Sequence, residues 1–469
     1  MRTIRQRAKP ILLKKIDLPL DPLELYSSVS RDSEYAFLLE SVSGPEKLSE
    51  FSFIGFEPIA IFNATNGACT IEDRQSGDIF EIETTDPLEI LGKLLTGNSY
   101  PSYGFRFVGG AVGYVSYESI KYWEKIDLRS EKNSDFPDME FGIYNNGIII
   151  DHRMGEAYIF GPSVDDESIA ASFKNKTARF EDHVKLVDAK PCMAKNEFER
   201  IVLKAKEYIE EGDIFQVVLS KKYRVEYDGS LDAFYRRLRK LNPSPYMYIL
   251  KMGQRKIVGS SPEMLFRVEG TRVETFPIAG TRPITGDQEL DEKLSNELVS
   301  DEKERAEHAM LVDLSRNDLG RVCRFGTVKV EELMKIHRFS HVQHMVSHVS
   351  GELRFGYNSL DVLRALFPAG TVTGAPKIRA MEIIEELEND RRGPYAGCVG
   401  YISFNGCADF AITIRTLVSP RKGVGYIQSG AGIVADSSPE NEWYETEHKA
   451  RALLNALKGE QHYEGANNR

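Results

Sequence analysis

An α+β fold with antiparallel sheets is predicted from three observations. Segments rich in aromatic and β-branched residues, interrupted by Gly and Asn, crowd the first part of the chain. Apolar residues at helical spacing mark several later stretches. Strands and helices then mix without the regular β-α alternation of a doubly wound parallel sheet.

The elements follow in order. FSFIGFEP, FRFVGGAVGYVSYES and FGIYNNGIIID read as strands and hairpins, so the region 1–162 is mainly β. Residues 163–194 are polar, with Asp165, Asp166 and Glu167 ahead of many lysines and Lys190-Pro191, and read as surface helices plus a linker. In the region 195–460, EFERIVLKAKEYIEEGD puts Phe198, Ile201, Val202, Ala205 and Ile209 at helical spacing, with Gly212 as a natural stop. FQVVLSKKYRV and PYMYILK read as strands, and the stretch from about Asp287 to Leu319 as one long charged helix. FPAGTVTGAPKIRAMEIIEELE reads as a Gly-Thr loop leading into a helix striped by Ile378, Met381, Ile384 and Leu387, with Pro376 in its first turn. Residues 461–469 form a tail.

Composition narrows the function classes. Hydrophobic residues at 41% and charged residues at 28% are the balance of a globular protein. A net charge of -11 argues against a nonspecific binder of nucleic acid or anionic membranes, so an anionic substrate has to meet a local positive site. The cysteines Cys69, Cys192, Cys323, Cys398 and Cys407 form no C-x-x-C pair, which disfavours a disulfide framework or zinc ribbon and fits a reducing cytoplasm. The apolar stretch Ile11 to Leu13 is too short for a signal sequence, and no apolar run approaches the roughly 20 residues of a membrane helix. A soluble protein is expected.

Four constellations carry chemistry. Glu304 and Glu307 in DEKERAEHAMLVDLSRND stand three apart, as do Glu442 and Glu445 in SPENEWYETEHKARALLNALKG, so each pair shares a helix face. In the second helix Trp443, Ala450, Leu453, Leu454 and Leu457 form the apolar stripe, and Glu445 points away from it. If the helices meet over a cavity, four carboxylates suit a hard divalent cation; solvated helices commonly carry the same pattern. The Gly370-to-Gly374 loop offers N–H groups to an anion, but Ala375-Pro376 stand where a phosphate loop closes with Gly-Lys, and nucleotide binding is disfavoured. In FAITIRTLV, Arg415 shares a strand face with Ala411 and Thr413, and with Gly430, Ala431 and Gly432 of QSGAGIV it suits a carboxylate; a strand Arg paired to a surface acid is the alternative. Finally, His337, His341, His344 and His348 would form a zinc-binding stripe on a helix, whereas a strand separates His341 from His344 and His348 and leaves one histidine as an acid-base group.

Taken together, SPEMLFRV, PIAGTRP, AEHAMLVDLSRNDLGRV, FPAGTVTGAPKIRAMEIIEELE, RRGPYAGCVGYISF, AITIRT and QSGAGIVADSSPENEWYET closely resemble the chorismate-utilising enzymes, and within them the large subunits of anthranilate synthases. The resemblance runs from LPLDPLELY near Leu18 to KARALLNAL near Leu457. It implies two large antiparallel sheets packed as a sandwich, helices outside, and an active site in the cleft between them. It also implies conversion of chorismate and ammonia to anthranilate, with magnesium on Glu307 and Glu445 and with Glu304 and Glu442 completing the acidic shell. Gly280, Thr281, Tyr395, Arg415 and Gly430 to Gly432 match substrate-binding positions, His344 the catalytic histidine, Glu263 the acid near the leaving hydroxyl, and Thr371 a substrate-contacting threonine. FLLES, with Glu40 and Ser41, and NPSPYM, with Pro245, Tyr246 and Met247, match the tryptophan-inhibitor motif; a plain buried strand is the other reading of FLLES.

Within the resemblance, Gln216 stands where isochorismate and salicylate synthases carry a water-activating lysine, and Ala279 where many aminodeoxychorismate synthases carry a nucleophilic one. Amination at the ortho position is therefore favoured over para amination by an aminodeoxychorismate synthase. A non-catalytic tryptophan sensor is disfavoured by intact Glu307, His344, Arg415 and Glu445. No cysteine lies in a G-x-C-x-G context, so ammonia is expected from a glutamine amidotransferase partner, in a heterotetramer of two of each subunit.

Overall fold

The computed structural model describes residues 11–17, 21–42, 50–95, 104–128, 135–162, 183–338 and 342–459. Among them the chain forms two antiparallel sheets of twelve strands each. Side-chain alternation assigns the layers. In the strand Tyr35–Glu40, Phe37 joins an aromatic layer between the sheets with Phe107, Tyr144, Tyr248 and Tyr401. Its neighbours Ala36 and Leu38 pack outward with residues of helices Pro22–Ser30, Leu231–Leu241 and Pro439–Lys458. A third cluster buries helices Lys195–Glu210, Ser359–Leu366 and Lys377–Leu387. The expected sandwich with outer helices is what the chain adopts.

Each sheet is completed across one seam. Tyr35–Glu40 pairs with Tyr246–Met252 in the first, and Gly110–Val115 with Cys398–Ser403 in the second. On one side of each seam the strands all precede residue 162, and on the other they all follow residue 183.

Several sequence expectations need correction. FGIYNNGIIID is not a hairpin, because Met139–Tyr144 pairs in the second sheet and Gly147–Asp151 in the first, with Asn145 and Asn146 carrying the chain across. In the polar stretch, Val184–Pro191 is an edge strand on Gln216–Gly229 rather than a helix; the linker 163–182 and the tail lie outside the described residues. The long charged helix is two, Gln288–Ser300 and Glu302–Gly320, hinged at Asp301. Ile378 is exposed, and the buried face of Lys377–Leu387 is Ala380, Met381, Ile383 and Ile384. In the Gly-Thr loop Val372 and Thr373 donate their N–H groups to the Ala369 and Gly370 carbonyls, and Gly374–Ala375 pairs with Gln216 and Val217 rather than opening the helix.

Candidate active site

Arg415 and Glu263 owe their positions to the same device. The chain leaves the second sheet after Ala408–Ile412 and enters the first at Thr416–Arg421, and Arg415 sits in that corner at φ 49°. It is therefore not on a continuous strand, as the residue pattern had suggested. Glu263 occupies the reverse corner, between Arg255–Ser261 of the first sheet and Met264–Glu269 of the second. The corners are tied to each other. Ser260 donates its N–H to the Arg415 carbonyl at 3.1 Å, and Ile412 donates to the Glu263 carbonyl at 3.0 Å.

These corners open onto a cleft of ≈ 770 Å³ bordered by strands of both sheets and by the two glutamate-bearing helices. Glu304, Glu307 and Leu311 reach it from Glu302–Gly320, and Glu442, Glu445 and Lys449 from Pro439–Lys458, each set following the helical repeat. Burial raises the Glu304 carboxyl, with Arg282 opposing and the Glu307 charge adding. Burial likewise raises Glu442, aided by the charge of Glu445. Like charges gathered in a partly desolvated cleft, all with hard oxygen donors, are what a divalent cation relieves. The pairs stand as two sets, and among the described residues no three His, Cys, Asp or Glu side chains already converge on one metal point.

Across the cleft, Thr371 donates its hydroxyl to Glu263 Oε2 at 2.8 Å, and burial pushes the Glu263 carboxyl up against the lowering effects of Thr371, Lys449 and Arg415. His344, on the strand Val342–Glu352, bonds through Nδ1 to the Gly280 carbonyl at 2.9 Å, with Thr281 Oγ1 at 3.1 Å from the same nitrogen. A carbonyl only accepts, so Nδ1 carries the proton and Nε2 is the basic nitrogen of that tautomer. Burial pushes the imidazole pKa down. Arg415 donates to Asn242 Oδ1 at 3.3 Å and faces the charge of Glu263, not a surface acid.

Glycine is required where backbone approaches the site. Gly280 has φ +68°, and a Cβ there would meet Glu304 Oε2 at 2.9 Å; one on Gly430 would meet the Tyr395 hydroxyl at 2.7 Å. Of the glycine-rich strand, Gly430 and Gly432 line the cleft, while the side chain of Ala431 alternates to the opposite face and packs in the core, so that only its backbone faces the site. The histidines do not form a zinc stripe. His337 and His344 are cross-strand partners, His348 stacks on Phe276 and bonds Glu274, and His341 lies outside the described residues.

Among the cleft residues that escaped the sequence reading are Lys449, His448 and Gln428. Lys449 donates to the Gly430 carbonyl at 2.9 Å and pairs with Glu445 at 2.7 Å; its place four residues after Glu445 on the same helix face was the available signal. His448 and Gln428 also border the cleft, and no local pattern marked them. Gln216 Nε2 donates to Glu307 Oε1 at 2.9 Å.

The inhibitor-motif residues also meet. Glu40, Ser41, Pro245, Tyr246 and Met247 line a separate pocket of ≈ 50 Å³, closed by Arg267 and Asp409, which the sequence reading did not include. Asp409 accepts from Tyr246 at 2.9 Å and pairs with Arg267 at 2.7 Å, while Glu40 is held by Arg239 at 2.6 Å and Tyr235 at 2.7 Å. No helix among the described residues is long and apolar enough to cross a membrane.

Comparison with known proteins identifies the family. A family profile described as chorismate binding enzyme matches residues 34–455. Anthranilate synthase component 1 of Methanothermobacter marburgensis is 48% identical over 453 residues, covering 94% of each chain. That of Saccharolobus solfataricus is 47% identical, covering 93% of this chain and 97% of the relative. The crystal structure of anthranilate synthase component I from Streptococcus pneumoniae superposes with a TM-score of 0.77 at 37% identity, covering 87% of this chain and 92% of that one. The menaquinone-specific isochorismate synthase of Escherichia coli, at 20% identity and a TM-score of 0.72, shares the fold. A profile spanning most of the chain, with relatives of this identity and coverage, makes the chain a member of the chorismate binding enzyme family.

Proposed function

We propose that this chain is the aminating component of an anthranilate synthase, converting chorismate and ammonia to anthranilate and pyruvate in tryptophan biosynthesis. The observation that carries the reading is the single cleft joining two glutamate pairs to Arg415, Glu263 and His344. The relatives named anthranilate synthase component 1 support it.

Chorismate carries two carboxylates, and Arg415 supplies a fixed positive charge for one of them. Bound to Glu307 and Glu445, with Glu304 and Glu442 around it, magnesium would supply the charge that holds the ring carboxylate and withdraws electrons from the diene. Ammonia forms its bond at C2 as the C4–O bond breaks. Glu263, favoured in its protonated form by burial and oriented by Thr371, gives its proton to the departing hydroxyl, which leaves as water. The ammonium formed on C2 returns its extra proton to the Glu263 carboxylate; in the second step the ring loses its C2 proton, the C3–O bond breaks, and the departing enolpyruvate takes up a proton at its methylene carbon to become pyruvate. His344 Nε2, unprotonated in its buried setting, receives the ring proton.

Burial raises the pKa of all five thiols, Cys69 and Cys323 to about 11, so none is a ready thiolate nucleophile for glutamine hydrolysis. A glutamine amidotransferase, two copies with two of this chain, is the proposed nitrogen source. The unpaired cysteines suit a cytoplasmic setting. The pocket at Glu40 and Tyr246 is the proposed tryptophan site.

Incubation with chorismate, ammonium and magnesium tests the reaction. Fluorescent anthranilate is the expected product. Accumulation of 4-amino-4-deoxychorismate would place the chain with the para-aminating synthases instead.

A further inference from the structure

The helix Pro439–Lys458 carries Glu442 and Glu445 on its least buried part. Its fully buried residues begin only at Thr446, and Ser438 makes no side-chain cap hydrogen bond at its start. Something other than an apolar stripe or a cap therefore has to fix how the first turns are rotated.

Lys221 is placed to do this. It stands on the strand Gln216–Gly229, of which Gln216 and Val218 border the cleft; alternation turns Lys221 to the opposite face, where its side chain is 0% exposed. Its ammonium lies 3.0 Å from the centre of the Trp443 ring and pairs with Glu447, which also accepts from the Tyr223 hydroxyl. Trp443 in turn packs edge-on against Phe198 of the helix Lys195–Glu210, with ring centres 5.8 Å apart. Four residues apart, Trp443 and Glu447 share one side of their helix, roughly opposite the cleft-lining Glu442, Glu445 and Lys449.

Taking an ammonium out of water is costly, and an apolar side chain of similar length would fill the space without that cost. What the charge adds is direction. An apolar stripe tolerates small rotations, whereas the ammonium is satisfied only where Glu447 and the face of Trp443 both meet it. A rotation that breaks this contact turns Glu442 and Glu445 by the same angle. The strand that carries Lys221 also reaches the other glutamate pair, since Gln216 donates to Glu307 Oε1 at 2.9 Å.

We propose, on the magnesium reading above, that Lys221 is a positioning residue for the metal: by gripping Trp443 and Glu447 it sets the rotation at which Glu442 and Glu445 face the cleft shared with Glu304 and Glu307. Its contribution is to the geometry of the metal set and not to the stability of the fold.

Two measurements on the whole chain separate these contributions: the magnesium Kd, by calorimetric titration with chorismate present and ammonium absent, and the urea midpoint. Lys221→Met keeps the length of the side chain and removes the charge; Glu447, partly exposed, is left to water and Tyr223. The magnesium Kd should rise about tenfold, as for other residues that hold metal ligands in place, while the urea midpoint stays where it was. Lys221→Arg, which keeps a cation over the ring, should recover most of the affinity. The double variant Lys221→Met with Glu447→Leu removes both charges and serves if the single variant does not fold. An unchanged Kd in a folded variant would overturn the proposal, as would a Kd and a midpoint that fall together without recovery in Lys221→Arg, the mark of a merely structural lysine. If the unaltered chain binds no magnesium beside chorismate, the metal reading falls and the role of Lys221 with it.

Discussion

Glu263 and His344 are driven in opposite senses by one cause. Burial raises the carboxyl and lowers the imidazole, so both move toward their neutral forms and the cleft holds a proton donor and a proton acceptor together. The same physics acts without catalytic purpose on His308, which is 0% exposed, bonds Ser347 Oγ at 2.7 Å and is pushed down to about 4 from 6.5 by burial. Below pH 6.5 the unfolded chain takes up a proton that the folded chain refuses until about pH 4. Stability from this group is thus complete above pH 6.5 and is lost as the pH falls through that window, about 2 kcal/mol of it by pH 5. Urea midpoints at pH 7.5 and pH 5 should differ less in His308→Leu than in the unaltered chain; equal slopes would refute the assignment. For Glu445, half-exposed and paired with Lys449, Glu445→Gln should cost no more than about 0.5 kcal/mol of stability. It should nevertheless cut turnover at limiting magnesium about tenfold or more. Unchanged activity in a magnesium titration would remove Glu445 from the metal set.

The element scale shows why some of this was legible in the sequence and some not. A helix face is local, so Glu304 with Glu307 and Glu442 with Glu445 could be placed on shared faces from spacing alone. Strand parity is local too, and it put His344 and His348 on one face. Which sheet a strand joins is decided by partners far along the chain, and that is why Arg415 read as a strand residue and FGIYNNGIIID as a hairpin. The break at Asp301 was hidden for another reason. Its side chain caps Glu302–Gly320, accepting from Lys303 at 3.1 Å and Glu304 at 3.2 Å, inside a run of charged helix formers that gives no stop signal. The same carboxylate pairs with Arg282 at 3.2 Å, and Arg282 also reaches Glu304. Asp301→Ala should therefore lower stability by about 1 kcal/mol and raise the magnesium requirement as the first turn carrying Glu304 frays. Asp301→Asn, which keeps the cap, should retain most of both. Urea denaturation and a magnesium titration of the two variants check this, and equal behaviour would show that the cap does not position Glu304.

At the scale of the whole molecule, the cleft and the pocket at Glu40 belong to different parts of the architecture. Every residue bordering the cleft lies at or beyond Gln216, whereas the pocket at Glu40, Tyr246 and Tyr401 sits on strands from both seams. A ligand that prises the seam apart acts on strands leading straight to the site. Met264–Glu269 carries Arg267 near the pocket and follows Glu263, and Ala408–Ile412 carries Asp409 and precedes Arg415. The seams also bind the chain into one body, since Met247 to Leu250 and Val399 to Tyr401 are buried only while the strands opposite them are present. A fragment of residues 195–469 keeps every cleft residue but bares the backbone edges of Tyr246–Met252 and Cys398–Ser403 beside an uncovered aromatic layer. It should aggregate on expression and regain solubility when the N-terminal region is supplied in the same cell. A fragment that stays monomeric by sedimentation and turns over chorismate would show that the catalytic strands fold without their seam partners.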